Sequence, residues 1–229
     1  MQERKKYNPG EARITIEGNE ISKVASTPFL GVMVDEKYCW KEHIDMITKK
    51  VAKSVGIVKK NCPFLNRACL KTLYYSLIYP YLTYCNIVWA STYPSYLQKL
   101  YVLQKKFVRL ATKSTPLEPS APLFATLNIL TIFNINILQT CIFTYKTKYQ
   151  NSELPDHFQQ YFQSNSSFHS HQTRQSNQLH VPLYSTTRGQ FSLKYKGVSS
   201  WNAHSHLMTN SSSLSTYKRS LINKLIAQM

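Results

Sequence analysis

Carboxylates are scarce in this chain: 11 Asp and Glu stand against 28 Lys and Arg among 229 residues, a net charge of +17. The shortage deepens along the chain, because only Glu118, Glu153 and Asp156 lie beyond residue 45. So few acids leave little from which to build a two-metal polymerase or nuclease site, which needs carboxylates around a pair of ions about 4 Å apart. The dense acids are Asp35, Glu36, Glu42 and Asp45. The first pair fits a strand-to-helix junction, where Asp caps helices; the second falls in the first turns of a helix, where the dipole favours negative charge. Glycine is also rare, with six in all, and no Gly-rich phosphate loop occurs. Serine is plentiful, yet no Gly-x-Ser-x-Gly elbow is present. Hydrolase and kinase readings are set aside on these grounds.

Cysteine is odd in number, at positions 39, 62, 69, 85 and 141, and reads as reduced packing residues of an intracellular protein, nuclear or cytoplasmic. Cys62 and Cys69 have no second pair to complete a zinc knuckle. His169-x-His171 and His204-x-His206 lack a nearby Cys or carboxylate and read as surface histidines. No metal or other cofactor is expected in this chain. The opening MQERKKYNPGEAR has no apolar core of the kind a signal peptide needs, and Arg4-Lys5-Lys6 reads as a solvated tail.

Charge is absent altogether from Thr72 to Gln98, a run of 27 residues. About 20 apolar residues would cross a bilayer, but seven tyrosines, Pro80, Pro94 and Asn86 interrupt this run and would each need a partner in lipid. Leu70, Leu73, Leu77, Tyr81, Tyr84 and Val88 recur at helical steps, so the stretch reads as the central helix pair of a core, kinked or split at Pro80, with Trp89 inside and no membrane partner.

Around it the elements are legible by period. Ile14 and Ile16 alternate with polar residues, Gly18-Asn19 offers a turn, and Ile21 to Val24 can return as a second arm. Phe29 to Val34 is a short apolar run suited to a buried strand. From Trp40 the period becomes helical: Trp40, Ile44, Ile47, Val51, Val55 and Val58 share a face, and Lys49, Lys50, Lys53, Lys59 and Lys60 take much of the remainder. Leu97, Leu100, Leu103, Phe107 and Leu110 form a second such face, with Lys99, Lys105, Lys106, Arg109 and Lys113 turned away, and Pro116, Pro119 and Pro122 end that helix. A second uncharged run, Pro119 to Tyr145, offers Leu127, Leu130, Ile137, Cys141 and Ile142 as core. Residues 163–177 read as a polar loop, the stretch from Phe191 to Asn202 as a strand or loop anchored by Trp201, and Leu214, Tyr217, Leu221 and Leu225 as one side of a last helix.

Solubility asks for a net charge of only about 2 to 8, so the surplus of cations points to a polyanion, nucleic acid first. Lysine faces can follow a phosphate backbone and aromatic rings can stack bases.

The order of short motifs carries a family resemblance. Phe29-Leu30-Gly31-Val32 with Asp35, Trp40, His43-Ile44, Leu73-Tyr74 with Pro80 and Trp89, Leu103-Gln104-Lys105 with Arg109, and Pro122-Leu123-Phe124 with Ile129-Leu130 follow one another. Leu154-Pro155, Thr173-Arg174, Val181-Pro182, Gly197 and Trp201-Asn202 continue the series. Across residues 12–225 this series resembles the C-terminal part of reverse transcriptases from non-LTR, LINE-type retrotransposons of the jockey kind. The resemblance implies a mainly α fold, a helical thumb- and connection-like bundle preceded by a β hairpin and strand left from a polymerase palm. It divides the chain into a primer-grip-like palm end at 1–36 (Phe29, Leu30, Gly31), basic thumb-like helices at 37–115 and a C-terminal helical region at 116–229. Lys49, Lys50, Lys53, Lys59, Lys60, Lys105, Lys106 and Arg109 would then contact the phosphates of an RNA–DNA hybrid or duplex. The family's catalytic aspartates, including a Tyr-x-Asp-Asp turn, have no counterpart in these residues, so Mg2+ would belong to a palm outside them, and an upstream polymerase fragment is an implied partner. A non-enzymatic RNA- or DNA-binding module and an inert retroelement relic are the alternatives.

Overall fold

The computed structural model of the protein describes residues 14–150, 154–158, 160–168, 174–208 and 213–229. Two separate hairpins come first. Strand β1 (Thr15–Ile16) pairs antiparallel with β2 (Asn19–Glu20) through Glu17-Gly18, both at positive φ of 50° and 81°. The turn therefore falls one residue before the expected Gly18-Asn19, because a two-residue hairpin of this type puts glycine second. The expected start of the arm, Ala12 and Arg13, and the Arg4-Lys5-Lys6 cluster lie outside the described residues.

Strands β3 (Ser26–Phe29) and β4 (Val32–Asp35) make the second hairpin, with Leu30-Gly31 at its tip at φ 46° and 80°. The apolar run expected as one buried strand is thus split. Gly31 supplies the positive φ, Val32 is buried, and Phe29 and Leu30 are 64% and 75% exposed. At the end of β4 the Asp35 carboxylate accepts the backbone N–H groups of Lys37 (3.1 Å), Cys39 (3.0 Å) and Trp40 (2.7 Å). Burial works to raise the Asp35 pKa, but these donors hold it below the usual carboxylate range. They also hold Tyr38 and Trp40 at φ 48° and 63°, a conformation that non-glycine residues adopt at a cost.

Helix α1 (Lys41–Asn61) buries Ile44, Ile47, Val51, Val55 and Val58 as its period predicts, together with His43 and Ser54. The uncharged run spans the C-terminal part of α2 (Arg67–Leu77), then α3 (Tyr79–Thr83), with Pro80 in its first turn, and α4 (Asn86–Trp89), and ends in the first turns of the next helix. Across these three helices Leu70, Tyr74, Ile78, Leu82, Asn86 and Trp89 are buried, whereas Tyr81, Tyr84 and Val88 are exposed. The predicted face holds through α2, where Leu70 is buried and Leu73 and Leu77 are half-buried, and fails after it because the helical phase does not survive the break at Ile78 or the left-handed Cys85 (φ 48°).

Helix α5 (Pro94–Thr112) runs parallel to α1: Lys99 meets Asp45 at 2.6 Å near one end, and the Cys62 thiol donates to the Leu110 carbonyl at 3.2 Å near the other. It buries Leu97, Leu100, Gln104, Phe107, Val108 and Ala111, with the expected Leu103 and Leu110 only half-buried. The helix stops at a left-handed Lys113, before the prolines credited with ending it; Pro119 instead caps α6 (Ser120–Leu127).

Helix α7 (Ile132–Tyr149) is buried around most of its circumference, packed by α3, α4 and α5 and by two helices yet to come in the chain, α9 (Leu193–His204) and α10 (Leu214–Ala227). This enclosure explains why the helix carries no charge before Lys146, in its last turn. Leu127, Leu130 and Cys141 are buried as expected, and burial pushes the Cys141 thiol up to about 12; Ile137 and Ile142 are half-buried. The Phe191 to Asn202 stretch is helical where a strand or loop was expected: a single turn, α8 (Thr187–Gln190), leads into α9, capped by Ser192. A Cβ on Gly197 of α9 would lie 2.5 Å from the Phe162 ring, so glycine serves a close approach there. Trp201 is buried, and α10 buries Tyr217, Leu221 and Leu225. Among the described residues no single helix is long and apolar enough to cross a membrane; α6 and α7 reach that length and composition only as a pair bent by 47°.

Gln104 is fully buried, its amide nitrogen donating to Tyr74 Oη (2.8 Å) and the Leu130 carbonyl (3.0 Å) while its oxygen accepts the Ile132 N–H (2.8 Å). Gln104→Ala leaves three buried groups unpaired and is expected to lower the stability by about 3 kcal/mol or more in denaturant unfolding. A loss below about 1 kcal/mol would mean that water or neighbours replace the amide.

His43 is buried against Trp89 (centroids 5.6 Å apart) and accepts the Met33 N–H on Nδ1 at 3.2 Å. Burial and then Lys50 lower its pKa, and burial lowers that of His204. A depressed histidine pKa means that the unfolded chain binds more protons, so stability is full above about pH 6.5 and falls as the pH drops below it. The unfolding midpoint should therefore decline between about pH 7 and pH 5, and His43→Gln should flatten the decline. An unchanged slope in the variant would assign the titration elsewhere.

Candidate nucleic-acid interface

The parallel pairing of α1 and α5 leaves a groove of about 740 Å³ along the C-terminal half of α1. Its floor is apolar, with Val55, Leu103 and Leu110, and its lining includes Lys59, Lys106, Arg109 and Lys113 but no acid. The apolar periodicity of each helix turns these cations outward; the parallel direction of the helices brings them to one place.

The expected phosphate-contacting residues therefore divide into three groups. Lys59, Lys106 and Arg109 converge on the groove. Lys49, Lys53 and Lys60 are exposed and recur at helical spacing on the solvent face of α1 beside it. Lys50 and Lys105 are drawn elsewhere: the Lys50 ammonium lies over the Tyr81 ring at 5.7 Å, and that of Lys105 over Tyr101 at 4.8 Å. Arg109 has a structural task as well. Its Nε and Nη2 donate to the Glu118 carbonyl at 3.2 and 3.0 Å, tying the connection after α5 to that helix.

Lys113 was not among the expected contacts although it lines the groove. It lies just past the last turn of α5 in the left-handed C-cap, and only the fold of the following connection brings it to the same groove as Lys59. Lys99 is withdrawn by its ion pair with Asp45.

Phe29, Leu30 and Gly31 are not part of the groove. Their hairpin docks at the N-terminal end of α1, through the Met33 to His43 hydrogen bond and through Tyr84, whose hydroxyl donates to the Leu30 carbonyl at 2.6 Å. Gly31 lies beneath the same tyrosine ring, 3.6 Å from where its Cβ would be.

Among the described residues no group of three or more His, Cys, Asp and Glu is placed to hold a metal ion. His204 is buried with Nδ1 2.8 Å from the Ser200 carbonyl, and His206 Nε2 lies 2.7 Å from Lys224 Nζ. The His169-x-His171 pair lies outside the described residues.

Comparison with protein-family models, with curated proteins and with solved structures finds no match to this chain.

Proposed function

We propose that this chain is the nucleic-acid-holding, C-terminal part of a non-LTR retroelement reverse transcriptase, with α1 and α5 as thumb-like helices that grip a template–primer duplex. The observation that carries the reading is the acid-free groove in which Lys59, Lys106, Arg109 and Lys113 meet, flanked by the Lys49, Lys53 and Lys60 stripe. Phosphates bind such a surface without base contacts, by release of counterions, so any duplex sequence serves. The ordered motifs add the family. On this reading Phe29-Leu30-Gly31 is a primer-grip-like tip, the metal-binding carboxylates and their Mg2+ belong to an upstream palm, and the protein works in the nucleus or cytoplasm.

The test is binding of the full chain to an RNA–DNA hybrid, duplex DNA and single strands across a salt series. Affinity is expected to fall steeply with salt and to favour the hybrid. Replacing Lys49, Lys53 and Lys60 with Gln should reduce the slope of log K against log salt on duplex DNA by about 0.9 for each phosphate no longer neutralised. A hybrid bound no better than other forms would instead favour a non-enzymatic binding module, and absence of binding at low salt would sink the nucleic-acid reading. A palm and fingers fragment supplied in trans should associate and restore polymerisation; failure to associate would count against the enzyme origin.

A further inference from the structure

A second cavity, of about 320 Å³, opens between the β4–α1 loop, the turn after α4 and the start of α9. We infer that this aromatic cleft takes one unpaired nucleobase of a strand whose paired portion lies on the α1–α5 surface. The inference rests on the nucleic-acid reading above and gives it a single-strand subsite.

The walls are rings. Tyr38 and Trp40 stand edge to face at 6.1 Å on one side, and Tyr93 and Phe191 at 5.0 Å on the other. Tyr38 and Tyr93 are 63% and 45% exposed, so their faces are open to a stacking partner. The cleft is also set before any ligand arrives. The Asp35 carboxylate holds the backbone of Cys39 and Trp40, and the Thr92 hydroxyl donates to the Cys39 carbonyl at 2.9 Å, tying the two walls together. Its volume lies at the low end of ligand pockets, about 300 to 1,000 Å³, which suits a flat heterocycle and excludes a helix.

Charge narrows the ligand further. Arg188 lines the cleft, the Lys196 ammonium lies 5.7 Å over the Phe191 ring, and no acid is in the lining. Those cations repel a methylated ammonium, the usual guest of an aromatic cage. A neutral apolar guest gains nothing from them. A flat aromatic carrying phosphate uses both the rings and the charges, and every base has a face to stack. Trp40 and Gly56, which mark the cleft and the groove, are 16 residues apart on or at the start of α1, about 24 Å along the helix axis. That span is about seven base steps, within reach of a short single-stranded extension leaving the duplex.

The experiment compares a blunt duplex with the same duplex bearing a single-stranded extension of about ten nucleotides, long enough for that span, with 2-aminopurine placed at each position in turn. The extension is expected to tighten binding about tenfold or more, with fluorescence quenched at one or two adjacent positions. Tyr38→Ala combined with Tyr93→Ala should abolish both the gain and the quenching while leaving blunt-duplex affinity and its salt slope unchanged; Tyr→Phe at both positions should restore them. Both rings are exposed, and unchanged thermal unfolding of the variant checks that the fold is kept. Blunt and extended duplexes bound alike, or quenching that persists in the alanine variant, would overturn the cleft alone. No binding of any nucleic acid would overturn the cleft together with the basic surface.

Discussion

The buried side chain of Gln104 is the interaction on which the helix arrangement depends. A primary amide has two donors and an acceptor oxygen, and removing it from water is costly unless they are used. Here both donors and the oxygen are engaged, by Tyr74 on α2, the Leu130 carbonyl and the first N–H of α7. A rotation of α5 by even one residue would break all three. That fixed rotation in turn presents Leu100 and Phe107 to the core and leaves Lys106 and Arg109 on the far side, against α1. Asn86 and Asn136 repeat the device on a smaller scale, the Asn136 amide donating to the Asn86 side chain at 3.0 Å between α4 and α7.

With the core set in this way, charge separates by use. Several of the few acids have local duties: Asp35 gathers the backbone that leads into α1, Asp45 holds Lys99, and Glu36 lies 3.4 Å from Lys23. On α1 and α5, Lys50 and Lys105 rest on aromatic rings. Beyond Asp45 on α1, and along all of α5, no acid remains, and mutual repulsion of the cations there is relieved by an anionic partner. The groove thus follows from the shortage of acids as much as from the supply of lysines.

The motif residues that carry the family resemblance turn out to hold joints of the fold. Asp35 clamps the junction to α1, His43 secures the hairpin, Gln104 sets α5, and Gly197 admits Phe162. Asn202 pairs with both backbone groups of Leu179, donating at 2.8 Å and accepting at 3.0 Å. Their roles are structural, which is why they say more about which architecture the chain adopts than about chemistry.

Local periodicity was enough to read α1 and α10, whose apolar residues at Ile44, Ile47, Val51, Val55 and Val58 and at Tyr217, Leu221 and Leu225 are buried as their spacing demands. Position along the chain was also enough to give Asp35 a structural duty at the strand-to-helix junction and to seat Trp89 and Trp201 in the core, but the Asp45 pair with Lys99 was not legible in it. Where a break resets the helical phase, as at Ile78 and Cys85, the same period pointed to the wrong face, and the glycine and serines of α9 hid a helix that packing against α7 sustains. The sequence by itself determined the charge imbalance, the helical character of the basic segments and the list of cations, because these depend on composition and on neighbours three or four residues apart. Only the tertiary structure decided that Lys59, Lys106, Arg109 and Lys113 share one groove while Lys50 and Lys105 do not, and that Tyr38, Trp40, Tyr93 and Phe191 face one cleft. Convergence of that kind depends on the direction and rotation of helices far apart in the chain, which buried contacts such as those of Gln104 settle and no local pattern encodes.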